Sequence, residues 1–368
     1  MRPLRGLTLL AGVVLAGARP AWAQDSQFGV RELGTPGRWE SVRARTTGGA
    51  FAAFDATSAV ADAALADVRS LTATAMGASS YRSVRSPGGS ANLQNGRFPL
   101  FTVAGAVSGR LIIGGGFTTY LDNSYEVVTR DSVLLRGVMV PFTDNLASDG
   151  GVSDVRIAAA ARFGPTLALG IGLHAITGSS RVTALRTFGD SSVYATVRDS
   201  QTVRQTGFGV SASALVNPAP ALSIVAFGRI DGNLKTKVDN VPTASTDLPN
   251  TVGGAVRLTL SSLARVAGSV AWRSWSSVGP DAYDTINWTA GLELGTGGNA
   301  IRVGGRGGQM PFGPGGSAPT EWGVAAGLGR TFGAGHGLLD LGVERLSRDG
   351  AGLHEGVWTL LFGLTIRQ

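Results

Sequence analysis

The sequence predicts an all-β protein: a transmembrane, antiparallel up-and-down β-barrel of about fourteen strands, preceded by a short N-terminal plug segment. Three observations predict it. The last stretch, 358–366, alternates: Trp358, Leu360, Phe362, Leu364 and Ile366 are large and apolar, while Thr359, Leu361, Gly363 and Thr365 are smaller and mixed. That is the period of a strand with one oily face. Segments of this kind recur from residue 71 onward, each of about ten residues or a little more, enough to cross a bilayer at a tilt. The connections between them alternate in length, as in barrels with short turns on one side and long loops on the other. A soluble sandwich has no reason to sort its loops in this way.

Residues 1–23 read as a secretory signal peptide. Arg2 and Arg5 form a basic start, 7–18 is apolar, and Ala21-Trp22-Ala23 is a small-residue cleavage site. The apolar run is too short to span a membrane. The mature chain is therefore expected to leave the cytoplasm.

Residues 24–67 do not alternate and are assigned to the plug. Phe51, Phe54, Ala59 and Leu65 could share one face of a short amphipathic helix there. The barrel is assigned to 68–368. Its strand cores are placed at 71–83, 97–107, 111–125, 152–163, 167–183, 203–215, 222–233, 251–260, 265–276, 285–294, 301–309, 321–332, 338–346 and 357–367. Tight turns are expected at Ser108-Gly109, Gly164-Pro165, Asn217-Pro218-Ala219-Pro220, Ser261-Ser262, Thr296-Gly297-Gly298 and Gly333-Ala334-Gly335. Longer connections are expected at 87–96, 126–151, 189–201, 234–250, 279–283, 311–320 and 348–355.

Parity assigns the faces. Ile286, Trp288, Ala290, Leu292 and Leu294 face lipid, and Asn287, Thr289, Gly291 and Glu293 face the lumen. Leu339, Leu341 and Val343 lie out; Asp340, Gly342 and Glu344 lie in. Val155, Ile157 and Phe163 lie out; Arg156 and Arg162 lie in. A charge on the lipid face near the midplane costs roughly 2–4 kcal/mol. The same parity places Arg229, Asp231, Arg257, Arg273, Arg302 and Arg306 inside. Trp272, Trp275, Trp288, Trp322 and Trp358 sit where an aromatic girdle or cross-strand packing would place them, and the girdle is the expected role for Trp288, Trp322 and Trp358.

Composition agrees. There are 55 glycines and only 15% charged residues. Glycine in strands lets a wall curve. There is no cysteine, which excludes disulfides and thiolate chemistry. The net charge of +7 comes from dispersed basic residues with no basic run, so nucleic acid is not expected as a partner. Solvated loop and lumen charges, a cation-lined lumen or contact with lipopolysaccharide account for it better.

The stretch Gly48-Gly49-Ala50-Phe51-Ala52-Ala53-Phe54-Asp55-Ala56-Thr57-Ser58-Ala59-Val60 resembles the N-terminal signature of the long-chain fatty-acid transporter (FadL-type) superfamily of outer-membrane barrels, which includes PorV-like members. Ala63-Ala64-Leu65-Ala66 keeps the end of that motif, while Ala61 and Asp62 stand where the family has Asn and Pro. The C-terminal segments Ile301-Arg302-Val303-Gly304, Met310-Pro311-Phe312, Gly327-Leu328-Gly329, Leu339-Asp340-Leu341 and Phe362-Gly363-Leu364-Thr365-Ile366 are similar to the family's last strands. The resemblance implies a plug carried by Gly48, Gly49, Phe51, Phe54, Asp55 and Leu65. It implies passive uptake of a hydrophobic, fatty-acid-like molecule across the outer membrane of a Gram-negative-type bacterium. The solute would be caught at external loops and would pass the plug or leave sideways through the wall.

The apolar run 133–142 suits capture, with Leu134, Leu135, Val138, Met139 and Phe142 as substrate-binding candidates; packing on the rim or on lipid accounts for it equally well. Gly114, Gly115 and Gly116 in the third strand would weaken the wall and suit a lateral opening. His174, His336 and His354 are scattered and show no metal spacing, so neither an enzyme nor a metal site is expected, and no cofactor. His174 is read as a structural histidine and His354, beside Glu355, as solvated. Outer-membrane lipid, lipopolysaccharide and a hydrophobic small molecule are the expected partners; the oligomeric state stays open. The alternative is a non-conducting barrel that holds a protein partner, as in the secretion-associated members of the superfamily.

Overall fold

The computed structural model describes residues 26–29, 33–86, 89–190, 192–296, 299–313 and 315–368. Residues 1–23, expected to be a signal peptide, and Gly297 and Gly298, expected in a turn, lie outside them.

Fourteen strands form the wall. They are β1 (Thr72–Ser86), β2 (Gly89–Ala106), β3 (Leu111–Asp122), β4 (Val138–Phe163), β5 (Leu167–Phe188), β6 (Val197–Ala219), β7 (Leu222–Asp231), β8 (Thr251–Thr259), β9 (Ala264–Arg273), β10 (Thr285–Thr296), β11 (Asn299–Gln309), β12 (Thr320–Phe332), β13 (Gly337–Gly350) and β14 (Leu353–Arg367). Each pairs antiparallel with its neighbours. The last strand pairs with the first, Trp358 opposite Tyr81 and Ile366 opposite Ala73, so the sheet has no free edge there.

The wall shows the expected alternation. Ile157, Ile171 and Leu360 are each 66% exposed on its outside, while Arg156, Glu293 and Glu344 are buried on its inside. An apolar outer face is stable only against an apolar solvent, which is what a bilayer supplies. Trp272, Trp288, Trp322 and Trp358 lie on this outer face. Trp275 does not. It sits in a 3-10 turn, Trp275–Ser277, buried edge-on against Phe312 at 5.2 Å. Strand β9 ends at Arg273, two residues earlier, so outward parity no longer governs that position.

The short turns fall near their expected places, but several of the long connections are not loops. Residues 126–151 form a hairpin: Tyr125–Leu135 pairs with the first part of β4. Residues 234–250 hold another, Asn233–Val238 against Val241–Asp247. At 348–355 the strands β13 and β14 meet through a two-residue turn. In all three the turn pair has positive φ: Arg136 and Gly137 at 52° and 82°, Asp239 and Asn240 at 47° and 70°, Ala351 and Gly352 at 46° and 79°. Two successive left-handed residues make the turn that follows strand twist, so the ladder continues where polarity alone suggested a loop.

Candidate functional site

The segment ahead of β1 threads the barrel. Near the hairpin end, Ser26 donates through Oγ to Glu355 at 2.7 Å, and the Gln27 amide donates to the same carboxylate at 2.7 Å. Glu355 is fully buried, while its neighbour His354 is exposed and contacts Asp349. Thr35 and Pro36 then pair with Asp122 and Leu121 on β3. Residues 38–61 run through the lumen, and 62–68 reach the short-turn end, where Arg162 pairs with Asp67.

Phe51, Phe54, Ala59 and Leu65 do not share one helix. The segment holds a one-turn α-helix, Val42–Arg45, and 3-10 turns at Ala52–Phe54 and Asp62–Asp67. Ser41 caps the first: its Oγ accepts from the Ala44 amide at 3.2 Å and donates to Asp55. Asp55 also accepts from the Thr57 amide at 3.2 Å and from Ser58 Oγ at 2.9 Å, tying the Asp-x-Thr-Ser stretch into a closed turn. Gly48 and Gly49 have φ of 71° and 103°, which favours glycine and breaks any helix. Phe51, Phe54 and Leu65 are nonetheless all buried, packed in one cluster with inward wall residues Ala104, Ala158, Leu215 and Ala255.

Inward glycines make room for this segment. A Cβ at Gly291 or Gly304 would overlap Thr47; at Gly327 or Gly342, Thr46; at Gly363, Val42; at Gly170, the backbone at 62–63. Part of the high glycine content therefore serves close approach between wall and plug, beyond strand curvature.

Charge does the rest. Most of the described inward arginines pair with acids, many across the plug–wall boundary. Arg43 grips Glu293 with two hydrogen bonds of 2.9 Å. Arg38 and Arg45 both pair with Glu344 on β13. Arg302 joins Glu293 at 2.8 Å to Asp340 at 2.5 Å. Arg257 lies over the Phe54 ring at 4.8 Å. Glu40 is a plug carboxylate: burial would raise its pKa, but the guanidinium of Arg38, then Arg306 and Arg45, hold it down at about 2.

On the opposite wall, Asp62 takes Arg156 at 2.9 Å and Ser211 Oγ at 2.6 Å. Ser211 also contacts His174 Nε2 at 2.8 Å, and His174 Nδ1 meets Asp154 at 2.9 Å. Arg229 links Asp154, at 2.5 Å, to Asp231, which accepts from Tyr120 Oη at 2.9 Å. His174 is thus not isolated. Asp154, His174 and Ser211 share inward parity on adjacent strands, a signal the sequence held; the fourth partner, Asp62, is 149 residues from Ser211.

The other predicted site residues fall apart spatially. Gly114 meets Leu65 of the plug. Gly115 and Gly116 are paired on both sides, opposite Val103 and Thr102 on β2 and Ile157 and Arg156 on β4, so the ladder is unbroken at the triplet. The wall's register slips elsewhere, at Met76/Ala78 on β1 beside Phe98 and Pro99 of β2, at Thr119/Leu121 on β3 and at Val216/Ala219 on β6. Leu134, Val138 and Met139 are exposed at the hairpin tip; Leu135 and Phe142 are half-buried, with Arg186 over the Phe142 ring at 4.1 Å.

Two of the cavities beside the plug adjoin inward arginines of the wall. One, of about 130 Å³, is bounded by Trp39, Glu40, Arg273, Trp275, Thr285 and Met310 among others. The second, of about 120 Å³, lies behind Ala78, Arg97 and Pro99, next to the register slip between β1 and β2. This arrangement of closed wall, threaded N-terminal segment and small internal cavities decides the fold. The barrel has the fold of the FadL-type channels. It is similar to a Pseudomonas aeruginosa FadL homologue, at 12% identity and a TM-score of 0.64 over 91% of this chain and 99% of that one. It is similar to the P. putida toluene transporter TodX, at 11% identity and 0.59 over 92% and 99%. The CymD monoaromatic hydrocarbon channel aligns at 12% identity and 0.57, again over 92% and 99%. No family model matches the chain, and no curated protein does.

Proposed function

We propose that the chain sits in an outer membrane and carries hydrophobic small molecules across it passively. The observation that carries this reading is the lumen itself: it is filled by the chain's own segment, yet small cavities remain between plug and wall. The structural neighbours CymD, a monoaromatic hydrocarbon channel, and TodX, a toluene transporter, support the same reading. Capture would fall to the hairpin tip at Leu134, Leu135, Val138, Met139 and Phe142. Passage would follow the plug surface around Phe51, Phe54 and Leu65. A sideways exit would use Gly114, Gly115 and Gly116, or the neighbouring slip between β1 and β2. The test is uptake of toluene or a fatty acid into liposomes holding the purified protein. Deletion of 24–66 and Gly115→Val should each change the flux; if both leave it unchanged, the reading fails.

The chain is read as a channel and not as a hydrolase. Asp154, His174 and Ser211 have the spacing of a nucleophile–base–orienter set, but Ser211 Oγ is committed to Asp62 and the group joins plug to wall. A second reading keeps the barrel non-conducting and gives it a protein partner. The exposed apolar hairpin tip favours it. Capture of a stoichiometric partner by a barrel without flux would establish that reading instead.

A further inference from the structure

Arg273 stands out among the inward arginines. Its guanidinium lies 4.4 Å from the centre of the Trp39 ring, but it makes no hydrogen bond or ion pair among the described residues. Its charged neighbours on the 130 Å³ cavity all have ion-pair partners. Arg38 holds Glu40 with two bonds of 3.2 and 3.3 Å. Glu321 takes Arg306 at 2.9 Å and Arg348 at 2.7 Å. Two groups lining the cavity are buried without a partner: the Trp39 indole N–H and the Thr285 hydroxyl.

Buried polar groups are normally paired, so the Trp39 and Thr285 groups call for a partner, and the half-buried Arg273 stands beside them. A guanidinium and an indole N–H only donate, so what would satisfy them is an acceptor, and best an anion. The lining is mixed: Trp275, Met310, Pro311 and Val60 give it an apolar side, and Asn287, Thr289 and Gln309 a neutral polar one. Size narrows the class further: an engineered apolar cavity of about 150 Å³ holds one benzene. We propose that this cavity binds a compact monocarboxylate with an aromatic or short branched body, the carboxylate on Arg273 and the body against Trp275 and Met310. Both glutamates on the lining already have their arginines, so one anionic group is matched and a second is not. This deepens the transport reading by naming a substrate class, and as a solute's waypoint it rests on that reading.

The probes are benzoate and toluene, similar in shape and different in charge. Binding to the detergent-purified full barrel is followed by isothermal titration, with flux into liposomes measured separately. Wild type should bind benzoate more tightly than toluene. Arg273→Gln should lower the ratio of benzoate to toluene affinity about tenfold or more, as loss of a charged hydrogen bond implies. Arg273→Lys, which keeps the charge and loses the fork, should fall between and serves if the glutamine variant does not fold. Equal loss for both ligands, or no preference for benzoate in wild type, overturns the proposal. Toluene flux without benzoate binding removes the site and keeps the transport reading. Benzoate binding sensitive to Arg273 without any flux keeps the site and removes transport.

Discussion

On β10, Ile286, Trp288 and Leu294 look out while Asn287, Thr289 and Glu293 look in, one residue apart along the same backbone. The two faces are held by different physics. The outer face needs only apolar area, because any lipid chain serves as its partner. The inner face needs particular partners: Glu293 is stable because Arg43, Arg265 and Arg302 surround it. An outward residue can be exchanged for another apolar one at little cost. An inward charge cannot lose its partner without leaving the other stranded.

The largest expected effect follows on the inner face. Glu344 pairs with Arg45 and shares Arg38 with Glu40. Glu344→Gln should cost about 3–5 kcal/mol, the usual penalty for breaking a buried pair. Urea unfolding of the barrel in detergent would show it. A loss below 1 kcal/mol would mean that water reaches this site and that plug and wall are not joined there.

Next is the outer face. Leu360→Arg puts a charge among lipid chains at a position 66% exposed and should cost roughly 2–4 kcal/mol. Measured by refolding into liposomes, the penalty should shrink for the same substitution near the interface. On the same outward parity the wild-type chain carries Arg345, over the ring of Trp358 at 5.4 Å. A flat profile with depth would break the contrast between the faces.

Asp62 sharpens it from the other side. The resembling family has proline here, and this chain spends the position on a carboxylate that joins Arg156 and Ser211. Asp62→Asn keeps the shape and removes the charge. It should cost about 1.5–3 kcal/mol, in line with hydrogen bonds to charged groups. Protease accessibility of residues 38–68 should rise with it, since the plug would lose an anchor at its short-turn end. Unchanged protection would place the anchoring in apolar packing around Phe51 and Leu65.

What was legible in the sequence follows the same division. Period-two parity gave strand number, the outward set and the inward arginines, because each strand carries that information locally. It did not give the partners. Glu293 lies 250 residues from Arg43 and Glu355 329 from Ser26, and no local pattern joins them. The plug's path was hidden for the same reason: inward glycines look like strand flexibility until Thr46, Thr47 and Val42 are seen lying on them. The hairpins were lost because polarity marked them as loops, while their turns depend on paired positive φ that Arg136 and Asp239 adopt without an obvious cue.

The smallest effect on stability should come where the two faces both end. At the hairpin tip Leu134 and Met139 are 64% and 61% exposed, and they face neither the plug nor the belt of the wall. Leu134→Ser with Met139→Ser removes apolar surface that the folded chain does not bury, so stability should stay within about 0.5 kcal/mol of wild type. Function separates the readings that stability cannot. If the tip captures a hydrophobic solute, uptake at low solute concentration should fall while saturating flux is kept, because only the first encounter is weakened. If the tip docks a protein, uptake is untouched and partner capture is lost. If it is solvated rim, neither changes, and the apolar run 133–142 is explained by its cross-strand pairing of Val133 with Val140 and Leu134 with Met139 alone.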